Sequence, residues 1–255
     1  MSRWIKAWVV PVAVFAGWEA GSRAGVLPAD STSRPSQIYL AAIDGFKDGS
    51  LLQATWQTLE AALLGFAIAA VAGISLGVIL GLSGRLESAT RPTLDALRPI
   101  PSVALIPLSL MLFGFGLMLE ATVVAFACVW PILLMTIAAV RGIEPRLLEV
   151  AQTLQLSVPQ RLLKIILPAA LGRIVIGLRL AVAISLVVAV TVEVVINPRG
   201  LGSTMMAAQQ SLRPDVMYAQ LVWLGLVGWL INVLANQAVR AWPGANLHAT
   251  AQGQA

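Results

Sequence analysis

Residues 61–84 read AALLGFAIAAVAGISLGVILGLSG, 24 positions between Glu60 and Arg85 without one Asp, Glu, Lys or Arg. A helix rising 1.5 Å per residue needs roughly 20 residues to cross about 30 Å of hydrocarbon, so the stretch is long enough to span a bilayer. Residues 216–239 give another charge-free run of 24, 99–119 one of 21 and 121–140 one of 20, the last two separated only by Glu120. Two runs are less clean: 7–18, extended past Glu19, and 174–196, interrupted by Arg179 and Glu193. A membrane barrel would alternate apolar and polar residues over segments of about ten, and these runs are continuously apolar. The expectation is an all-α polytopic membrane protein, one transmembrane domain over 1–255, with spans near 5–22, 58–83, 100–117, 120–140, 174–196 and 217–240.

Composition agrees. Of 255 residues 58% are hydrophobic and 11% charged, with mean hydropathy +0.84. Soluble domains carry roughly 25% charged residues, so this chain cannot coat a water-facing fold, and it is too apolar for disorder. With six spans both termini share one side. That side and its loops hold Arg3, Lys6, Arg85, Arg91, Arg98, Arg141, Arg146, Arg161, Lys164, Arg173 and Arg240, against Arg23, Arg34, Lys47, Arg199 and Arg213 opposite. The excess marks the first side as cytoplasmic, in a multi-pass protein in contact with membrane lipid. The net charge of +5 is then a topology signal. No basic cluster interleaved with aromatics exists to bind nucleic acid. The opening MSRWIKAWVVPVAVFAGWEAG resembles a secretion signal, but Trp18 and Glu19 interrupt the place where a small-residue cleavage site would fall, so a retained first helix is expected. Cys128 alone excludes an internal disulfide or cysteine-based metal site and reads as a packing residue; no metal site is expected.

Inside the 61–84 run, Gly73, Gly77 and Gly81 make two overlapping GxxxG steps, a face that lets a neighbouring helix backbone approach. Gly73-Ile-Ser75-Leu-Gly77 also matches the GxSxG of serine hydrolases, which requires a sharp strand-to-helix turn and a histidine in reach. The only histidine, His248, lies in the polar tail 243–255. Between the first two spans, 27–57 opens as a Pro- and Ser-rich loop, and Ile38 to Phe46 fits a short surface helix. Arg98-Pro-Ile-Pro-Ser-Val-Ala-Leu-Ile-Pro107 holds three prolines, Pro101 and Pro107 among them. It reads either as an irregular helix start lining a cavity or as an interfacial turn.

Residues 141–173 form the one long polar stretch that is neither tail nor outer loop. Pro145 suits a first helical turn, and Leu147, Leu148, Ala151 and Leu154 recur as an apolar stripe expected to face the membrane domain. Ser157-Val-Pro-Gln160 has the form of a capping box opening a second helix. Leu167-Pro168 reads as its end, because proline disfavours helix at the preceding residue. Such a hairpin suits a soluble partner.

Glu149-Val150-Ala151-Gln152-Thr153-Leu154 followed by Ile166-Leu167-Pro168 resembles the EAA loop of ABC importer membrane subunits: E-A-A, three residues, Gly, nine residues, I-x-L-P. Around it, RPIPSVALIPLSLMLFGFG (98–116), LGFAIAAVAGISLGVILGLS (64–83) and VEVVINPRGLG (192–202) are similar to the branch importing nitrate, sulfonates, taurine or bicarbonate. The resemblance covers about residues 8–240 and implies the type I, binding-protein-dependent importer fold. It further implies a non-catalytic permease, paired as a homodimer, with two copies of a separate ATPase that bind ATP and Mg, and an extracytoplasmic solute-binding protein. No GxxxxGK[ST] phosphate loop is present in this chain, which agrees with a separate ATPase. The resemblance assigns Glu149, Ala151, Gln155, Leu167 and Pro168 to ATPase coupling, and makes Pro101, Pro107, Glu193, Gly200 and Gly202 candidates for a gate or pathway. The chain departs from the pattern at Val150 and at Gln155, where the family has Gly. A non-glycine residue in left-handed conformation costs roughly 1 kcal/mol or more, so either the bend is made differently or the partner's socket has adapted. Glu193 reads as a structural hydrogen-bonding group or a gate, and Arg179 as a side chain snorkelling to the interface. The competing classes are an ion-gradient-driven secondary transporter, for which no internal repeat is found, and an intramembrane serine hydrolase.

Overall fold

A computed structural model describes residues 3–26, 28 and 32–241; the polar tail 243–255, with His248, and part of the loop after the first helix lie outside the described residues. The helices are α1 (Arg3–Arg23), α2 (Pro35–Lys47), α3 (Ser50–Leu82), α4 (Gly84–Leu97), a 3₁₀ turn (Ser102–Leu105), α5 (Ile106–Phe113), α6 (Leu117–Arg141), α7 (Pro145–Thr153), α8 (Val158–Arg161), a π-helical turn (Leu162–Ile166), α9 (Leu167–Val195), α10 (Gly200–Gln210) and α11 (Pro214–Ala241). No strand occurs among the described residues, so the all-α class holds.

Among the described residues four helical stretches are long and apolar enough to cross a bilayer: Ser50–Leu82, Leu117–Arg141, Val158–Gln210 and Pro214–Gln237. Two of the six expected spans differ. The segment 5–22 is helical, but Lys6 and Glu19 leave it short of the apolarity of the others. The segment 100–117 is no straight helix. Gly84–Leu97 and Ser102–Phe113 form a pair bent by 85°, which makes a fifth span if the two act as one. The reason is local, since Pro99 and Pro101 lack the amide hydrogens that would carry α4 onward. Pro107 lies in the first turn of α5, where a missing donor costs nothing, and so opens that helix rather than bending it.

Contacts group the chain into two compact units, one of residues 1–58 and 193–227, the other of 59–192 and 228–255. In the larger unit α6 is the most deeply buried span, with Leu119, Val123, Val124, Cys128 and Ile132 in its core. The glycine face of α3 packs on it. A Cβ added to Gly65, Gly73, Gly77 or Gly81 would meet Val124, Ile132, Thr136 or Val140 at 2.5–2.9 Å, each partner 59 positions further on. A constant offset means two parallel helices in one register, and the same offset sets Cys128 opposite Ala69, both fully buried. The packing reading of Gly73, Gly77, Gly81 and Cys128 is what the geometry shows. The hydrolase reading is overturned, because Ser75 sits inside α3 with no strand or turn beside it.

The other side of α6 takes α9, antiparallel to it. Gly177 lies against the Pro131 carbonyl and Met135, the Ala181 carbonyl accepts from Cys128 Sγ at 3.3 Å, and Arg173 Nη1 donates to the Ala138 carbonyl at 3.1 Å. Pro131 is inside α6, and its carbonyl faces Gly177 of α9.

The smaller unit is held by polar contacts to helix ends. Glu19 on α1 accepts from the Ser36 amide (3.1 Å) and hydroxyl (2.9 Å) at the start of α2, and from Arg23 at 2.7 Å. Trp223 donates to Thr55 Oγ1 at 2.8 Å and packs edge-on against Phe46, beside buried Leu51, Ala54 and Leu201. Asp48 starts α3 by accepting from the Ser50 amide at 2.8 Å. Hydrogen bonds from Ser50 hold its carboxyl below the usual carboxylate range.

Candidate functional site

The hairpin 141–173 is built as two helical arms joined by a left-handed residue. In α7 the Leu154 amide donates to the Val150 carbonyl (3.0 Å) and the Leu156 amide to the Ala151 carbonyl (3.1 Å). Gln155 between them has φ 49°, in the left-handed region. This is the Schellman ending that glycine ordinarily supplies, here made by glutamine. The bend is therefore not made differently. The 6→1 hydrogen bond holds Gln155 in a conformation its side chain disfavours.

The second arm begins as the capping box predicts. The Ser157 amide donates to Gln160 Oε1 at 3.1 Å, and Pro159 occupies the first turn of α8. The expected stop at Leu167-Pro168 does not occur, because the chain stays helical from Val158 into α9. The turn Leu162–Ile166 widens to π geometry, with the Leu167 amide reaching back to the Leu162 carbonyl. The wider turn gives room for the pyrrolidine ring of Pro168, which would clash in a regular helix.

The apolar stripe of α7 is divided. Ala151 is buried at 1% exposure, and Ile143 and Ile166 join a core with Val78, Val140 and Ile174. Leu147, Val150 and Leu154 (62% exposed) are open, as are Val158 (81%) and Leu163. Glu149 lies exposed among them. The expectation that this stripe faces the membrane domain is corrected at Leu147 and Leu154. The hairpin turns apolar side chains outward around Glu149, the kind of patch that marks a protein interface.

In the smaller unit Glu193, Gly200 and Gly202 come together. Helix α10 opens with three consecutive amides, and three side chains take them: Gly200 donates to Gln57 Oε1 (2.9 Å), Leu201 to Thr58 Oγ1 (2.9 Å) and Gly202 to Glu193 Oε2 (2.8 Å). A carboxylate at a helix N-terminus also meets the positive end of the helix dipole. Gly200 has φ +82°, and a Cβ there would fall on the Glu193 carboxylate. Of the two sequence readings, the geometry fits the structural hydrogen-bonding one. Gln57 and Thr58 escape sequence reasoning because they lie 143 positions from their partners and carry no motif.

A third polar cluster lies where α4 meets the end of α6. Buried Glu87 accepts from Arg91 Nε and Nη2 (2.9 and 2.6 Å) and pairs with Arg141 Nη2 at 3.0 Å. With Leu94, Asp95 and Ile137 these residues line a cavity of about 400 Å³. Pro101 starts the 3₁₀ turn just beyond it, after the bend.

Residues 69–242 match the family of binding-protein-dependent transport system inner membrane components. The chain is 33% identical over 205 residues to the bicarbonate transport system permease of Synechococcus elongatus, covering 80% of this chain and 73% of that one. It is 29% identical over 196 residues to the taurine transport system permease of Escherichia coli (strain K12), covering 77% and 71%. In fold it is similar to a chain of the MetNI methionine ABC transporter in an inward-facing conformation, with TM-score 0.66, 22% identity, and coverage of 75% of this chain and 95% of that one.

Proposed function

Because this chain belongs to the family of binding-protein-dependent transport system inner membrane components, we propose that it is the membrane-spanning, non-catalytic subunit of an ATP-driven importer of a small oxyanion. The observation that carries this reading is the hairpin: an outward-facing apolar surface of Leu147, Val150, Leu154 and Val158 around Glu149, on a turn closed by left-handed Gln155. Such a surface in water favours a soluble partner. In this reading the partner is a separate ATPase, two copies on a permease homodimer, which binds ATP and Mg and drives the spans through Ala151, Leu167 and Pro168. Both termini and the hairpin face the cytoplasm, and an extracytoplasmic binding protein brings solute to the other face. The relatives named for bicarbonate and taurine support a small anion as cargo, since both carry an oxyanion group.

The test is affinity purification from native membranes, followed by reconstitution with the ATPase and the solute-binding protein. The expected result is a copurifying ATPase and uptake that needs ATP, with Glu149→Ala and Leu154→Asp each lowering uptake at least tenfold. Uptake driven by an ion gradient without the ATPase overturns the reading.

A further inference from the structure

We propose that Arg98 is the anion-contacting residue of the translocation pathway, its guanidinium meeting the solute's oxyanion group half-way across the membrane. The proposal rests on the transport reading and adds to it the residue that meets the cargo.

The depth of Arg98 follows from the register of α4 on α6. Glu87 pairs with Arg141 at the last residue of α6, and Leu94 packs on the cluster of Leu133 and Ile137 further back along it. The two helices are therefore antiparallel, and the same register brings Arg98 level with Trp130. That is near the middle of the 25-residue span Leu117–Arg141 and about 16 Å beyond Glu87 along the α4 axis. A charge that the sequence assigns to a cytoplasmic loop lies at mid-depth.

An intramembrane arginine needs a counter-ion or water. Arg91 and Arg141 have Glu87, but Arg98 is exposed and has no ion pair or side-chain hydrogen bond among the described residues. Arg91, Asp95 and Arg98 recur at i, i+4 and i+7, one polar face of a helix at membrane depth. The 400 Å³ cavity is lined by the first two of them, Arg91 and Asp95, and Arg98 stands one turn beyond it. Immediately after Arg98 the backbone breaks by 85°, and irregular backbone at membrane depth is tolerated where it lines a cavity. At the same level the buried indole Nε1 of Trp130 has no acceptor, a second donor at that depth. The planar fork of arginine matches two oxygens of a sulfonate, nitrate or bicarbonate, which an ammonium group does not.

The experiment uses the full complex with its ATPase and binding protein in phosphatidylcholine vesicles, with taurine, ethanesulfonate, nitrate and bicarbonate as probes. For R98A the anion moved per ATP hydrolysed is expected to fall at least tenfold, with R98K in between. R98C is expected to regain transport after modification by a cationic aminoethyl thiosulfonate, and to stay inactive after an anionic sulfonatoethyl one; Cys128 is fully buried and does not react. An unchanged transport ratio in R98A, or equal effects of the two reagents, overturns the proposal while leaving the transport reading intact. A defect seen only when phosphatidylglycerol is added assigns Arg98 to lipid phosphate and also overturns it. If wild type moves none of the four probes, the transport reading and the proposal fall together.

Discussion

Gly77 stands directly against Thr136: a Cβ on Gly77 would lie 2.5 Å from Thr136 Cβ and 3.1 Å from the Leu133 carbonyl. Neither neighbour is the free end of a flexible chain, so even a methyl group must push α3 and α6 apart. Overpacking a core in this way costs about 1–3 kcal/mol. Gly77→Ala is expected to lower the melting temperature in detergent and Gly77→Val to lower it further. Gly225, with nothing within 4 Å, is the control, and Gly225→Ala should leave it unchanged or raise it.

Gln155 tests the other use of glycine. Relief of the left-handed strain, less the extra freedom glycine has when unfolded, predicts that Gln155→Gly stabilises the hairpin by roughly 0.5–1 kcal/mol. Gln155→Val should destabilise it. Protease protection of the 145–166 segment reports both, and faster cleavage of the Gln155→Gly variant than of wild type contradicts the Schellman geometry.

The α10 cap predicts a difference between two substitutions of one residue. Glu193→Gln keeps an acceptor for the Gly202 amide, whereas Glu193→Ala leaves a buried amide unsatisfied, at about 1–3 kcal/mol. Thermal unfolding in detergent should rank wild type and Glu193→Gln above Glu193→Ala. Gly200→Ala should be at least as damaging, since it combines φ +82° with collision against the same carboxylate.

Asp48 gives a pH dependence with a definite sign. Its carboxyl is held below the ordinary aspartate value by hydrogen bonds from the Ser50 hydroxyl and amide. The contribution is therefore present above that ordinary value and lost as pH falls through the lower folded value. Protection factors over 50–53, taken against the intrinsic exchange rate at each pH, should fall on acidification below about pH 4. Asp48→Asn, which keeps the acceptor, should flatten that response.

Four of the six expected spans were legible because an apolar run of bilayer length has few other uses, and the GxxxG face because small residues four apart share one side of a helix. The partner of that face was not legible, since nothing in residues 61–84 states an offset of 59. Ser157 and Gln160 announced their capping box, a local motif. Pro168 misled because a local rule predicts a break, while one π turn keeps the helix continuous. The depth of Arg98 was hidden for a related reason. Starting a span at the first charge-free residue leaves α4 outside the membrane, and the Glu87–Arg141 pair together with Leu94 on Leu133 and Ile137 shows how far along α6 that helix reaches.

The α3–α6 seam carries one more consequence. Gly65, Gly73, Gly77 and Gly81 engage four successive partners at a single offset, so sliding either helix by one residue would drive backbone into side chain at every step. Through any transport cycle the two must travel as one strut. A pair of spin labels reporting the separation of these two backbones should read one distance with ATP, without it, and with solute loaded.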